Sequence, residues 1–175
     1  MHITILNGSP RKGGNTEIMV DALKKGAEES GHQVEKINLA GKKITGCLGC
    51  QYCFSHEGVC VQKDDMAAIL EVLDQTDLLV FASPIYWFDI TGQLKCVIDR
   101  MYARGKTGYH FHKSMLMLDS AAEGVYQAAL AQYQSIAAYL RWEDKGVITI
   151  SGMTDKGSMK DSPRLKDVYE MGRAL

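Results

Sequence analysis

Short apolar segments alternate with amphipathic segments along most of this chain, and this alternation restricts the possible folds more than any other feature. Residues 2–7 (HITILN) and 77–82 (DLLVFA) are runs typical of strands buried on both faces. Apolar residues at helical spacing follow them, in 15–31 and 91–102. The same criteria predict further strands at 33–38, 114–118 and 146–150, and further helices at 64–73, 125–140 and after Pro163. We therefore expect an α/β doubly wound, three-layer sandwich with a five-stranded parallel sheet.

Size and composition fit one globular domain. The chain has 175 residues, of which 46% are hydrophobic and 23% charged, so we expect a single domain over 1–175 with a cysteine-rich loop at about 44–63. Twenty basic and twenty-one acidic residues give a net charge of −1, which disfavours a nucleic-acid partner. The longest apolar stretch, 78–88, is far short of the roughly 20 residues of a membrane helix, and the N-terminal residues lack the pattern of a secretory signal. We expect a cytoplasmic protein without a membrane partner.

The loop after the first strand, 8–16 (GSPRKGGNT), is rich in hydrogen-bond donors. In a parallel sheet this loop lies where ligands bind, beside the N-terminus of a helix. Neither a Walker sequence nor the GxGxxG fingerprint is present, so the loop suits a monophosphate; an ordinary glycine-rich turn is the alternative. The candidate donors are the hydroxyls of Ser9 and Thr16, the amide of Asn15 and the guanidinium of Arg11, and Gly14 allows the main chain to approach closely.

A second loop follows the third strand, at 83–92 (SPIYWFDITG), and carries three adjacent aromatic residues. Their rings supply an apolar wall for a flat heterocycle, and the backbone amides of 85–87 are candidate donors to its polar edge. The alternative is that the aromatic residues pack on the core or on a partner subunit. The candidate contacts are Pro84, Ile85, Tyr86, Trp87 and Phe88.

The sequences GSPRKGGNT, ASPIYW and GQLKCVIDR, each in its place in the order of elements, together resemble the NAD(P)H-dependent FMN reductases of flavodoxin-like fold. The resemblance implies that hydride passes from NAD(P)H to bound FMN, with the protein supplying binding and electrostatics. It also implies a homo-oligomer, a dimer or a tetramer. The FMN phosphate would then contact Ser9, Arg11, Asn15 and Thr16, the isoalloxazine would contact residues 84–88, and a third loop would contribute Asp119, Ser120 and Ala121. This third loop departs from the glycine-rich loop common in the family.

Four cysteines, Cys47, Cys50, Cys53 and Cys60, have the spacing C-x2-C-x2-C-x6-C. Three thiolates at intervals of three residues suit three corners of a [4Fe-4S] cluster, and Cys60 would be the fourth ligand. Zinc, with His56 as a conceivable substitute ligand, is a less natural alternative because no second cysteine pair is present. The motif also resembles that of the iron-sulfur flavoproteins, a branch of the same superfamily. Redox-active thiols or structural cysteines remain alternatives.

Three functional hypotheses follow. The first is an FMN-dependent oxidoreductase that takes electrons from NAD(P)H and passes them to a small acceptor such as a quinone or a flavin. The second is an iron-sulfur flavoprotein that carries electrons between a [4Fe-4S] cluster, FMN and a redox protein. The third is a non-enzymatic sensor of flavin or metal. The cysteines separate the first two hypotheses, and turnover with NAD(P)H separates both from the third.

Overall fold

Five strands form one all-parallel sheet in the order β2-β1-β3-β4-β5. The structure is a computed structural model that describes all 175 residues. The strands are β1 (His2–Asn7), β2 (Gln33–Asn38), β3 (Leu78–Pro84), β4 (Lys113–Asp119) and β5 (Glu143–Ile150). This order is that of the flavodoxin-like doubly wound fold, which confirms the predicted fold class. None of the helices is both long enough and apolar enough to cross a membrane.

Helices cover both faces of the sheet. They are α1 (Asn15–Glu29), α2 (Tyr52–Ser55), α3 (Met66–Leu73), α4 (Gly92–Met101), α5 (Gln127–Leu140) and α6 (Arg164–Arg173). Apolar residues of α1 and α6 pack with those on one face of the sheet, while α3, α4 and α5 pack on the other face. The result is the predicted three-layer sandwich, with a core on each side of the sheet.

Alternation along the central strands divides the apolar side chains between the two cores. Val80 of β3 packs on the α1 side, whereas its neighbours Leu79 and Phe81 pack on the side of α3, α4 and α5. Every residue from Leu78 to Ala82 is buried, as the continuous apolar run predicts for a strand covered on both faces.

The crossing of α1 and α6 depends on two glycines. A Cβ atom on Gly26 would lie 2.1 Å from the carbonyl oxygen of Tyr169, and one on Gly172 would lie 2.2 Å from that of Leu23. Both distances are far inside van der Waals contact, so the helices pack backbone against backbone. This contact fixes α6, and hence the segment between β5 and α6, against the helix that follows the first loop.

Candidate functional site

The loops after β1 and β3 meet at the carboxyl edge of the sheet. The Gly8 N–H donates to the carbonyl of Ala82 at 2.8 Å, and the Thr91 hydroxyl donates to the carbonyl of Gly8 at 2.8 Å. A Cβ atom on Gly8 would lie 2.8 Å from the Cβ of Leu94, so only glycine allows this approach. Thr91 also caps α4, because its hydroxyl accepts the Leu94 N–H. The two loops are therefore joined at the strand-order switch where parallel sheets bind ligands.

A cavity of about 150 Å³ opens between these loops and the loop after β4. Nine of the twelve residues predicted to bind the cofactor line it; Gly14, Trp87 and Phe88 do not. Its walls also include Met153, Thr154 and Lys156, which follow β5 and carry no recognisable motif. The nine predicted residues are Ser9, Arg11, Asn15, Thr16, Pro84, Ile85, Tyr86, Asp119 and Ser120.

The phosphate end of the cavity is formed by the first loop and the start of α1. Ser9 is buried, and its oxygen accepts the Arg11 N–H at 3.3 Å, which leaves the hydroxyl proton free for a ligand. The guanidinium of Arg11 is exposed at the rim. The first N–H groups of α1 have no acceptors within the helix and favour an anion there. These groups make the loop suitable for a phosphate.

The side chain of Asn15 is hydrogen-bonded to the segment after β5. Its amide nitrogen donates to the carbonyls of Met153 and Asp155 at 3.2 and 2.8 Å, and its oxygen accepts the N–H groups of Gly157 and Met159 at 2.9 and 3.2 Å. Both donors and both lone pairs of the side chain are thus used. Asn15 holds the segment after β5 over the cavity and has no free amide donor for a phosphate.

Asp119 is a buried acid at the end of β4, with only 4% of its surface exposed. Its carboxylate accepts the Thr16 hydroxyl at 2.5 Å, so the predicted Thr16 donor is also occupied. Burial raises the pKa of Asp119 to about 6, although the Thr16 hydrogen bond and the charge of Arg11 oppose the shift. The neighbouring Ser120 hydroxyl is hydrogen-bonded with that of Tyr126 at 2.6 Å. The third loop therefore contributes a buried carboxyl group whose pKa lies above its ordinary value.

The aromatic residues after β3 form a tight turn that projects from the protein. The N–H of Ile85 donates to the carbonyl of Asp119, and that of Tyr86 to the carbonyl of Asp89, so these two predicted donors are occupied. Trp87 and Phe88 have left-handed backbone conformations, with φ of 49° and 71°. The turn carries them out of the cavity and leaves them 92% and 58% exposed. They form an exposed aromatic surface beside the cavity, whereas Tyr86 lines it.

All four predicted metal-binding cysteines line a second, mostly apolar cavity, between the 44–63 loop and the end of α4. They are free thiols, and burial raises the pKa of Cys53. No group of three or more metal-ligating side chains is close enough together to hold a metal ion. Four sulfur donors around one apolar space are the donor set of an iron-sulfur cluster, and the space between them has a volume of about 20 Å³. His56 does not line this cavity; its ring stacks on Tyr52.

Basic residues at and just beyond the end of α4 hold the cysteine-rich loop. Arg100 donates to the carboxylate of Asp64 at 2.8 and 3.0 Å and to the carbonyl of Thr45 at 3.0 Å. Arg104 donates to the carbonyl of Gly58 at 2.6 Å. No motif in the sequence marks these arginines as anchors of the loop. The spacing of Arg100, three residues after the buried Val97, is a signal that this arginine faces the protein interior.

Comparison with known proteins identifies relatives for nearly the whole chain. A family model described as NADPH-dependent FMN reductase matches residues 1–159. An iron-sulfur flavoprotein of Archaeoglobus fulgidus is 38% identical over 76% of this chain, but the match spans only 57% of that relative's length. A second iron-sulfur flavoprotein of the same organism is 33% identical over 84% of this chain and 74% of its own length.

A solved structure with a similar fold is the NAD(P)H:quinone oxidoreductase from Methanothermobacter marburgensis. It superposes with a TM-score of 0.78 over 100% of this chain and 96% of the other, at 21% sequence identity. At this identity the similarity supports the flavodoxin-like architecture.

Proposed function

The chain belongs to the NADPH-dependent FMN reductase family, and on this premise we propose that it is an FMN-dependent oxidoreductase. It accepts electrons from NAD(P)H and passes them to a small acceptor such as a quinone or a flavin. The observation that carries this proposal is the cavity at the strand-order switch, which brings Ser9, Arg11 and the start of α1 together with Pro84–Tyr86.

The size of the cavity indicates how FMN would lie. Its volume of about 150 Å³ is below the roughly 300–1,000 Å³ of sites that enclose a whole ligand. The phosphate and the adjoining ribityl chain would therefore enter the cavity, and the ring would lie over the exposed side near Tyr86. A ring that is open to solvent is accessible to nicotinamide and to an acceptor. When bound, FMN supplies the hydride chemistry, and this chain binds and orients it.

Flavin binding and turnover test this proposal separately. The purified protein is titrated with FMN, and NADH or NADPH oxidation is then followed without oxygen, with a quinone as the acceptor. We expect FMN to bind and nicotinamide oxidation to depend on added FMN. Failure to bind FMN would contradict the flavin site. Binding without oxidation of either nicotinamide would keep the site but reject the proposed donor and favour a sensor.

A second candidate function is that of an iron-sulfur flavoprotein. It is supported by the single cavity lined by Cys47, Cys50, Cys53 and Cys60. These residues would hold a [4Fe-4S] cluster, which when bound exchanges single electrons. Helix α4 connects the two sites, because it begins after Thr91 in the flavin loop and ends beside the cysteine cavity. Eight residues of helical rise from Gly92 to Arg100 correspond to roughly 12 Å.

Metal content distinguishes the two candidates. Protein purified without oxygen is examined by absorbance spectroscopy, and iron, zinc and sulfide are assayed on the same sample. About four irons and four sulfides per chain would support the cluster. Flavin bands without iron would support the simple reductase, and zinc alone would indicate a structural metal site.

We also propose that the protein is a homo-oligomer. An apolar groove between α4 and α5 includes the side chains of Tyr102, Ile136 and Tyr139, and Tyr139 is 87% exposed. Exposed apolar surface of this kind is typical of an interface between subunits. Light scattering of the purified protein should give a multiple of 19.4 kDa, and Tyr139→Glu should lower the mass. A monomeric wild-type protein would contradict the proposal.

A further inference from the structure

Arg100 is the most deeply buried charged side chain beside the cysteines, with 2% of its surface exposed. Burying a guanidinium is costly unless hydrogen bonds and an opposite charge compensate it. Asp64 supplies one negative charge through two hydrogen bonds, and the carbonyl of Thr45 accepts a third. These bonds connect the two ends of the cysteine-rich loop to α4.

The hydrogen bonds of Arg100 are incomplete. Its Nε is the one buried side-chain polar atom in the structure without a hydrogen-bond partner. A buried N–H donor without an acceptor is rare and destabilises the folded protein. Arg100 also lines the cavity formed by Cys47, Cys50, Cys53 and Cys60. The unused donor therefore lies on a side chain that adjoins four candidate sulfur ligands.

The charged form of Arg100 is favoured despite the burial of its side chain. Burial opposes the charged form, but the Asp64 carboxylate and the Cys60 thiol outweigh burial and raise the pKa of Arg100. Arg104, by contrast, forms a bidentate pair with Asp74 and does not line the cavity. Arg100 is thus the arginine that adjoins the cysteines, and Arg104 only anchors the loop.

We propose that Arg100 tunes the cysteine site: its unpartnered Nε–H donates a hydrogen bond to a sulfur atom of this cavity when the cysteines hold an iron-sulfur cluster. This inference rests on the proposed cluster. The cationic donor stabilises the more negative, reduced form of the cluster, and hydrogen bonds to sulfur and local charge are established determinants of cluster potential. Arg100 therefore raises the reduction potential.

The experiment compares paired charge variants after anaerobic reconstitution with iron and sulfide. Arg100→Gln removes the cation, Asp64→Asn removes the opposing anion, and the double variant leaves a neutral, hydrogen-bonded pair. Arg104→Gln is the control, because it removes a loop anchor outside the cavity. Iron and sulfide content is measured first, and the midpoint potential of the cluster is then determined by EPR-monitored titration.

We expect changes of opposite sign. Arg100→Gln should make cluster reduction at least tenfold less favourable, which is a decrease of about 59 mV for a one-electron couple. Asp64→Asn should increase the potential, the double variant should lie between the two, and Arg104→Gln should match the wild type. If Arg100 only holds the loop, Arg100→Gln, Asp64→Asn and Arg104→Gln should all lower the iron content, and the potentials should not follow this order.

The outcomes separate the two levels of the proposal. Wild-type protein with about four irons per chain and the same potential in all variants would overturn the role of Arg100 and leave the cluster standing. Wild-type protein that binds flavin but no iron or sulfide would overturn the cluster and the role of Arg100 with it. Potentials that shift in the expected order support both.

Discussion

The flavin edge and the cysteine-rich loop are both candidate redox sites, but they are built in opposite ways. At the flavin edge, hydrogen bonds to the main chain and the close approach of Gly8 place the loops directly on the strand ends. Ser9, Thr16 and Asp119 are buried there, and a hydrogen bond joins Thr16 to Asp119 of the third loop. The cysteine-rich loop has a single short helix, Tyr52–Ser55, and is held by side chains of α4 and the residues after it.

The difference shows how the position of each loop is fixed. A loop that follows a buried parallel strand inherits its position from the sheet, so its binding groups are preorganised before a ligand arrives. The cysteine-rich loop is instead anchored by the side chains of Arg100 and Arg104. Its four cysteines line one cavity, but their thiols are not close enough together to share a metal ion.

The largest expected effect tests whether the two regions are independent. Replacement of Cys47, Cys50, Cys53 and Cys60 by alanine should abolish iron binding, because every thiolate ligand of the proposed cluster is lost. FMN affinity should stay within about twofold of the wild-type value, since none of these residues lines the flavin cavity. Cys96→Ala, on α4 and outside the cysteine cavity, is the control. Loss of FMN binding together with iron would show that the regions fold as one unit.

The second prediction concerns the buried acid of the flavin edge. Burial raises the pKa of Asp119 from an ordinary value of 3.8 to about 6. Between these values the folded state holds a proton that the unfolded state has released, so the free energy of unfolding should fall as pH rises from about 4 to 6 and stay reduced above 6. Asp119→Asn keeps an acceptor for Thr16 without the charge. It should stabilise the protein at pH 7 by up to about 3 kcal/mol, since each pKa unit corresponds to about 1.4 kcal/mol.

Denaturant unfolding at pH 4.5 and pH 7 measures this effect. The difference between the variant and the wild type should be small at the lower pH and larger at the higher pH. Thr16→Val removes the hydroxyl donor to the same carboxylate and serves as the opposite control, because it should destabilise the protein more at pH 7. A variant that is less stable than the wild type at pH 7 would show that the carboxylate is stabilised there.

The sequence predicts the flavin edge better than the cysteine-rich loop, and the reason is the range of the interactions. Ser9, Arg11 and Tyr86 line one cavity at the sheet edge because the strand–loop–helix pattern that positions them is local. The side-chain partners of Asn15 could not be predicted, since they lie between Met153 and Met159, far along the chain, and are backbone groups that any sequence carries. The salt bridge between Arg100 and Asp64 likewise depends on tertiary contact, although the position of Arg100 on its helix predicts that it faces the protein interior.

The third prediction tests the phosphate position. Arg11→Ala should weaken FMN binding by about 10- to 100-fold, because hydrogen bonds to charged groups are worth about 1.5–3 kcal/mol. The affinity for riboflavin, which lacks the phosphate, should stay unchanged. Lys12→Ala removes an adjacent exposed cation that does not line the cavity and should have a much smaller effect. Equal losses for FMN and riboflavin would mean that Arg11 contacts another part of the flavin.

The smallest expected effect is at the aromatic turn, where exposure and backbone conformation make separate predictions for Trp87. Its ring is 92% exposed, so Trp87→Ala should change the free energy of unfolding by less than about 0.5 kcal/mol. Its φ of 49° favours glycine, so Trp87→Gly should be at least as stable as Trp87→Ala, although glycine also gains freedom in the unfolded chain. Both variants should weaken FMN binding less than Arg11→Ala does, because Trp87 lies outside the cavity. A larger loss of FMN affinity in thermally stable Trp87→Ala protein would place the indole on the flavin ring and extend the preorganised region to the exposed turn.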